Sequence, residues 1–374
     1  MFITLDPTFN ELGEAELRLN RDVIESLLIQ HIQGNHLFVL SPRQLTIIRG
    51  ALSFQGLPAR SLEVISRKSQ AYHASMRDAH RVVSVRPISS GGEAHICGRE
   101  ISVSPRWLST RLGTPPSLFL ENAVNDGGLY KALIGKSAPE IGADASLMVF
   151  RPVHGGGGTI AAVMEEVHGP QLKGLCVCDK DLSAPVSPPF RANSTAEAAY
   201  QSLQRMGVLD PQCEPTIDNP LFSFRVTSGW AVENYIGPNQ LDAYFTAEHS
   251  VRALRRSFSD TFLRFPDLTP NEMALWLSIN FRDHQNLQQL KSGYEQRVGG
   301  LVSNNAQISR AAELIFPSGS VQWIAKNTSG TRWSNVLDGA FKKDCTIFAY
   351  KEAIQNLSKM AHYLLAGDSS VHFT

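Results

Sequence analysis

Apolar and polar positions change rhythm along this chain, and each rhythm predicts a different kind of element. Across residues 14–33 the apolar side chains Leu17, Val23, Leu27, Leu28 and Ile32 recur at helical spacing, which predicts one amphipathic helix. Residues 36–40 read as a strand, 42–51 as a short helix and 61–79 as a second helical piece. Residues 81–85 and 95–103, with a Ser-Ser-Gly-Gly turn between them, predict a β-hairpin. From residue 117 to 182 the pattern becomes short, wholly apolar runs alternating with helical stretches. The runs are 118–120, 147–150 and 175–178. A strand without a polar face has none to turn to water, so such runs predict a parallel sheet covered by helices. Phe222 to Val226 continues the series. From Asn239 to about 301, and again over 306–315 and 338–365, the pattern is helical; 320–324 and 327–333 read as loop or short strand.

The expected fold class is therefore α/β. An N-terminal α+β module over 1–112 precedes a parallel-sheet domain over 113–238, and a mainly helical region over 239–374 follows. Junctions at Gly113-Thr114-Pro115-Pro116 and at the proline-rich 184–189 fit that division. There is no internal repeat and no low-complexity linker.

Composition narrows the function classes. The 374 residues are 43% hydrophobic and 19% charged with zero formal net charge, an ordinary balance for a globular chain. Zero net charge argues against coating nucleic acid by bulk charge while leaving room for a local basic groove. The five cysteines show no zinc spacing, and Cys176 and Cys178 are expected to face one side of a strand as core thiols. His31, His36, His73 and His80 are expected as packed or surface residues. No basic-then-apolar leader and no apolar run of the roughly 18 residues a bilayer needs is evident, so a reducing, cytoplasmic setting is expected.

Candidate chemistry collects at the ends of the apolar runs. Glu121 follows the first, Gly155 to Gly158 the second, and Asp179-Lys180-Asp181 the third. In open parallel sheets, function lies just past the carboxyl ends of strands. Carboxylates converging there suit a hard divalent cation, Mg²⁺ or Mn²⁺, which can activate water and stabilise charge on phosphorus. The glycines lack the lysine–hydroxyl pair of a nucleoside-triphosphate loop, since Ile160 follows Thr159. They are read instead as a tight strand-to-helix turn beside the metal. Arg252, Arg255 and Arg256 share one helical side, able either to track a nucleic-acid backbone or to form a solvated face.

Glutamate at a first strand end, glycines at a second and Asp-x-Asp at a third resembles the Toprim domain of topoisomerases, bacterial primases and OLD-type nucleases. Asn122 stands where the usual motif has glycine, and Asn125 and Asp126 fall at the fourth and fifth positions after the glutamate. Glu233-Asn234-Tyr235 resembles the late motif of Toprim nucleases in anti-phage defence, including OLD-like proteins and the Toprim effector of the PARIS system. Gly339 to Asp344 is similar to a late Gly-Lys segment of those proteins.

The resemblance implies a Mg²⁺- or Mn²⁺-dependent endonuclease cutting DNA or RNA, with a transfer RNA among the candidates, as a toxic defence effector. Glu121, Asp179, Asp181 and Glu233 would hold metal, with Glu121 alternatively the general base and Lys343 or Lys180 offsetting phosphate charge. It also implies docking on a partner ATPase of the ABC or SMC type, since no Walker-type loop occurs here, and a possible homo-oligomer. A regulatory subunit that binds without cutting is the alternative.

Overall fold

The wholly apolar runs and their neighbours form two sheets in the computed structural model, which describes residues 1–366 apart from 91, 93, 113–115, 169–171, 184–188, 217–218 and 318. The expected junction at 113–115, the glycine at 91 and most of the proline-rich stretch lie outside the described residues. The first sheet contains β1 (Phe2–Leu5), β2 (Leu37–Val39), β3 (Val82–Val85), β4 (His95–Cys97) and β5 (Glu100–Val103) in the order β2-β1-β3-β5-β4. Only β4 runs antiparallel. The second contains β6 (Ser117–Leu120), β7 (Pro152–His154), β8 (Gly174–Cys178) and β9 (Phe222–Val226) in the order β7-β6-β8-β9, all parallel.

The second sheet shows why its strands read as unbroken apolar runs. Alternate side chains point to opposite faces, and both faces are covered. Leu118, Leu120, Leu175 and Val177 join a large apolar cluster shared with the first sheet and the C-terminal helices. Phe119, Cys176, Cys178, Phe222 and Phe224 join a second cluster under the helix Thr195–Arg205. Cys176 and Cys178 therefore do share one face, buried, with sulfurs 3.8 Å apart.

Several expected elements are placed differently. The helix over 14–33 is two helices, Glu14–Leu19 and Arg21–Ile32. Asn20 interrupts it, its Nδ2 donating to Glu16 O and its Oδ1 accepting from Ile88 N, the local competition typical of asparagine. The expected hairpin partner of β3 is instead parallel to it; the hairpin lies within 95–103, turning at Gly98 with φ +57°. The apolar run 147–150 is not a strand. Met148 bridges to Ala366 and Val149 N donates to Leu365 O, so the run packs beside residues 365–366, and β7 begins at Pro152. As an edge strand, β7 needs no second apolar face. Residues 320–327 form a helix whose Val321 and Ile324 are buried.

Candidate acidic site at the switch point of the second sheet

The order β7-β6-β8-β9 reverses direction between β6 and β8, and that crevice is where open α/β sheets place ligands. Glu121 follows β6 and Asp179 follows β8, so both stand at its mouth. They are joined directly: Asp179 N donates to Glu121 Oε1 at 2.9 Å. Asp179 is 5% exposed, and its Oδ1 accepts from Val232 N at 3.0 Å. That bond ties the end of β8 to the 3₁₀ turn Val232–Tyr235, which carries Glu233.

The Glu-Asn-Tyr triplet divides its labour. Glu233 faces the crevice, while Asn234 and Tyr235 are buried and fix the turn. Asn234 Nδ2 donates to Trp276 O and Ile279 O, and its Oδ1 accepts from Ala231 N. The Tyr235 hydroxyl accepts from Ser228 N, and Tyr350 donates its own to Tyr235 O. A side chain on Gly229 would collide with Asn234.

The glycine run supplies the opposite wall. Gly155 N donates to Leu120 O and Gly157 N to Glu121 O, closing the loop onto the end of β6. Gly156 and Gly157 both take φ +62°, a left-handed backbone that other residues adopt only with strain. The result is a cavity of about 490 Å³ whose lining includes Glu121, Asp126, His154, Asp179, Glu233 and Arg282. The tight turn expected of the glycines is thus present beside the acids.

Burial among like charges raises the proton affinity of three of these carboxylates, Glu121, Asp126 and Asp179. Burial comes first for Asp179, pushing its pKa up to about 7, with Glu121, Glu233 and Asp181 adding to it and Arg282 opposing. Asp126 is likewise pushed up to about 7, by burial and then by Asp179 and Glu233. Burial raises Glu121 too, against the hydrogen bond from Asp179 N.

Arg282 was not legible as a site residue. Its Nη1 lies 2.6 Å from Asp179 Oδ2 and its Nε 2.8 Å from Glu233 Oε1. Burial works against its charge, but the two carboxylates prevail and hold its pKa above the usual arginine value. The guanidinium therefore bridges the ends of two loops that the sequence leaves 49 residues or more from it. Glu233 Oε2, by contrast, is buried with no hydrogen-bond partner.

The other sequence candidates lie elsewhere. Asp181 takes φ +57° and turns into a neighbouring cavity with Arg191 and Trp230, so the pair Asp179/Asp181 is split rather than directed at one point. Lys180 is buried, and burial followed by Arg297 lowers its pKa to about 7; it does not line the acidic cavity. Lys343 is exposed on the helix Ser334–Asp344 away from the cavity, while its neighbour Asp344 is wholly buried. Arg255 pairs with Asp242 at 2.5 Å and lies over the Phe265 ring; Arg252 and Arg256 are exposed, and none of the three lines the cavity.

As hard oxygen donors the four carboxylates suit a divalent cation, and the unpartnered Glu233 Oε2 gives one of them spare capacity. Among the described residues, however, no three His, Cys, Asp or Glu side chains close into a metal-ligating group. Arg282 stands between two of the acids instead. Among the described residues, no helix is long and apolar enough to cross a membrane. Comparison with known proteins finds no matching family model, no similar curated protein and no similar solved structure.

Proposed function

We propose that this chain is a metal-dependent nuclease of the Toprim type, cutting phosphodiester bonds in DNA or RNA as the toxic effector of an anti-phage defence system. The observation that supports it best is the gathering of Glu121, Asp126, Asp179 and Glu233 on one cavity at the switch point of a parallel sheet. Glu121, Asp179 and Glu233 would hold Mg²⁺ or Mn²⁺, with Asp126 within the same cavity and Asp181 adding charge from the next one. Such an ion supplies activation of water and neutralisation of charge at phosphorus.

The chain's own residues would do the rest. Where Asp179 and Glu233 hold the ion without it, Glu121, whose proton affinity burial already raises, is suited instead to take a proton from the attacking water. Arg282, 41% exposed on its side chain, would leave the acids when metal enters and offset charge on the phosphate. In this reading Arg282 takes the part that the sequence offered to Lys343. Cytoplasmic action, a partner ATPase and self-association belong to the same proposal. The test is to sequence the nucleic acids cleaved in cells after induction, comparing the native chain with an Asp179→Asn/Asp181→Asn double variant. Identical cleavage in both would sink the mechanism.

A second reading has one observation in its favour. Arg282 already neutralises two of the acids, and no metal-ligating group is closed among the described residues. A non-catalytic Toprim-like subunit docked on an ATPase would look the same. Toxicity lost in Glu121→Gln favours the nuclease; toxicity that survives loss of Glu121, Asp179 and Asp181 favours the docking subunit.

A further inference from the structure

A second cavity, of about 520 Å³, opens behind the turn Val232–Tyr235: Glu233 lines the acidic cavity and Tyr235 lines this one. Its walls carry His80, Arg225, Asn356 and Lys359. A small adjoining pocket shares His80 and Arg225 and adds Arg81. Three cations, Arg81, Arg225 and Lys359, thus meet beside His80 from three separate places: the approach to β3, the strand β9 and the helix Phe348–Leu364. In a chain of zero net charge this is a local surplus.

The surplus has little to oppose it. Among the described residues lining the two pockets Glu214 is the sole carboxylate. It is 55% exposed on its side chain and 3.8 Å from Arg225, a separation at which a surface pair in water gains little. The remaining partners of the Arg225 guanidinium are uncharged, Phe224 O at 3.0 Å and the Met360 sulfur at 3.6 Å. Burial, then Arg81 and Arg225, lowers the proton affinity of His80, with Glu214 acting against them and Lys359 with them. A concave surface of one sign concentrates field and recruits counter-charge. An arginine fork matches a phosphate's oxygens, and a nearby lysine adds a point charge.

We propose that this basic cavity, between the edge strand β9 and the helix Phe348–Leu364, binds phosphate groups of the nucleic-acid strand whose neighbouring segment enters the acidic cavity. The inference rests on the nuclease reading and places the strand's grip on the other side of the turn that carries Glu233.

Fluorescence anisotropy with a labelled single-stranded oligonucleotide, in EDTA so that nothing is cut, tests it across a salt series. Arg225→Gln/Lys359→Gln is expected to weaken binding about ten-fold and to make the slope of log K against log salt shallower by about 1.4, two contacts' worth. Lys359 is exposed, so Lys359→Gln alone keeps the fold and is expected to give about half that slope change. Unchanged affinity and slope in both variants would overturn the site. So would preferential displacement of the oligonucleotide by poly-glutamate, or binding of inorganic phosphate and mononucleotide without oligonucleotide. If the native chain cleaves nucleic acid with Mg²⁺ yet both variants bind normally, this inference fails and the nuclease reading stands. If it neither binds nor cleaves any nucleic acid, both fail.

Discussion

Replacing Arg282 by alanine removes the one guanidinium among the described residues of a cavity that four carboxylates line. Its two charge-assisted hydrogen bonds, 2.6 and 2.8 Å, reach side chains only 6% and 16% exposed. Truncating one partner of a fully buried pair costs about 3–5 kcal/mol because the other charge is left unpaired. Arg282 itself is 41% exposed, so water recovers part of that, and a loss of about 1–3 kcal/mol is expected without divalent ions. A bound cation would replace the missing charge. The assay is thermal unfolding of both chains, in EDTA and across Mg²⁺ and Mn²⁺ concentrations, with Mn²⁺ affinity by calorimetry. Arg282→Ala is expected to melt lower in EDTA, to gain more from metal than the native chain, and to bind Mn²⁺ more tightly. Equal melting in EDTA together with no metal-dependent gain in either chain would refute the reasoning.

Three further outcomes follow from buried groups. Lys173 is 2% exposed, its Nζ lacks a partner, and burial followed by Arg151 lowers its pKa from 10.5 to about 7. Between those values the unfolded chain holds a proton that the folded chain has lost, so stability should rise with pH across that window. Lys173→Met should abolish that rise and stabilise the protein at pH 7.5 by on the order of 3 kcal/mol in urea unfolding; a loss of stability would contradict this. Asp344 accepts from the backbone and side chains of Asn239 and Gln240 at the start of the helix Pro238–Ala247. Asp344→Ala should cost about 3 kcal/mol by orphaning those donors, and a cost under about 1 kcal/mol would show that they find other partners. Gly174 has φ +131° and no room for a side chain against the backbone of Ser117. Gly174→Ala should therefore part β8 from β6 and give a lower yield of folded protein, with normal folding as the opposing result.

The positions of Glu121 and Asp179 were legible because an apolar run that stops at an acid marks a buried strand's end. Glu233 was legible through its triplet, whose asparagine and tyrosine prove to be the parts that hold the turn. Asp181 was misleading: two residues apart means one face only while the strand lasts, and β8 ends at Cys178 before Asp181 turns into a left-handed conformation. Arg282 gave no local signal. It lies in the loop between the helices Pro270–Trp276 and Leu287–Val298, and only tertiary packing brings it to carboxylates from two other segments. The run 147–150 misled for the opposite reason, since apolar content does not say whether a segment joins a sheet or packs beside the last turn of a helix, here at Leu365. The helix Ser320–Asn327 was read as loop or strand, yet its Val321 and Gln322 help close the acidic cavity.

The central claim is that the acids at the switch point support metal-dependent phosphodiester cleavage. Its most direct test incubates the purified chain with end-labelled DNA and RNA, in EDTA and in Mg²⁺ or Mn²⁺, beside Asp179→Asn. Cleavage that needs the metal and falls at least about a hundred-fold in Asp179→Asn is the expected result. Cleavage that persists in EDTA, or that is undiminished in Asp179→Asn, would contradict the account.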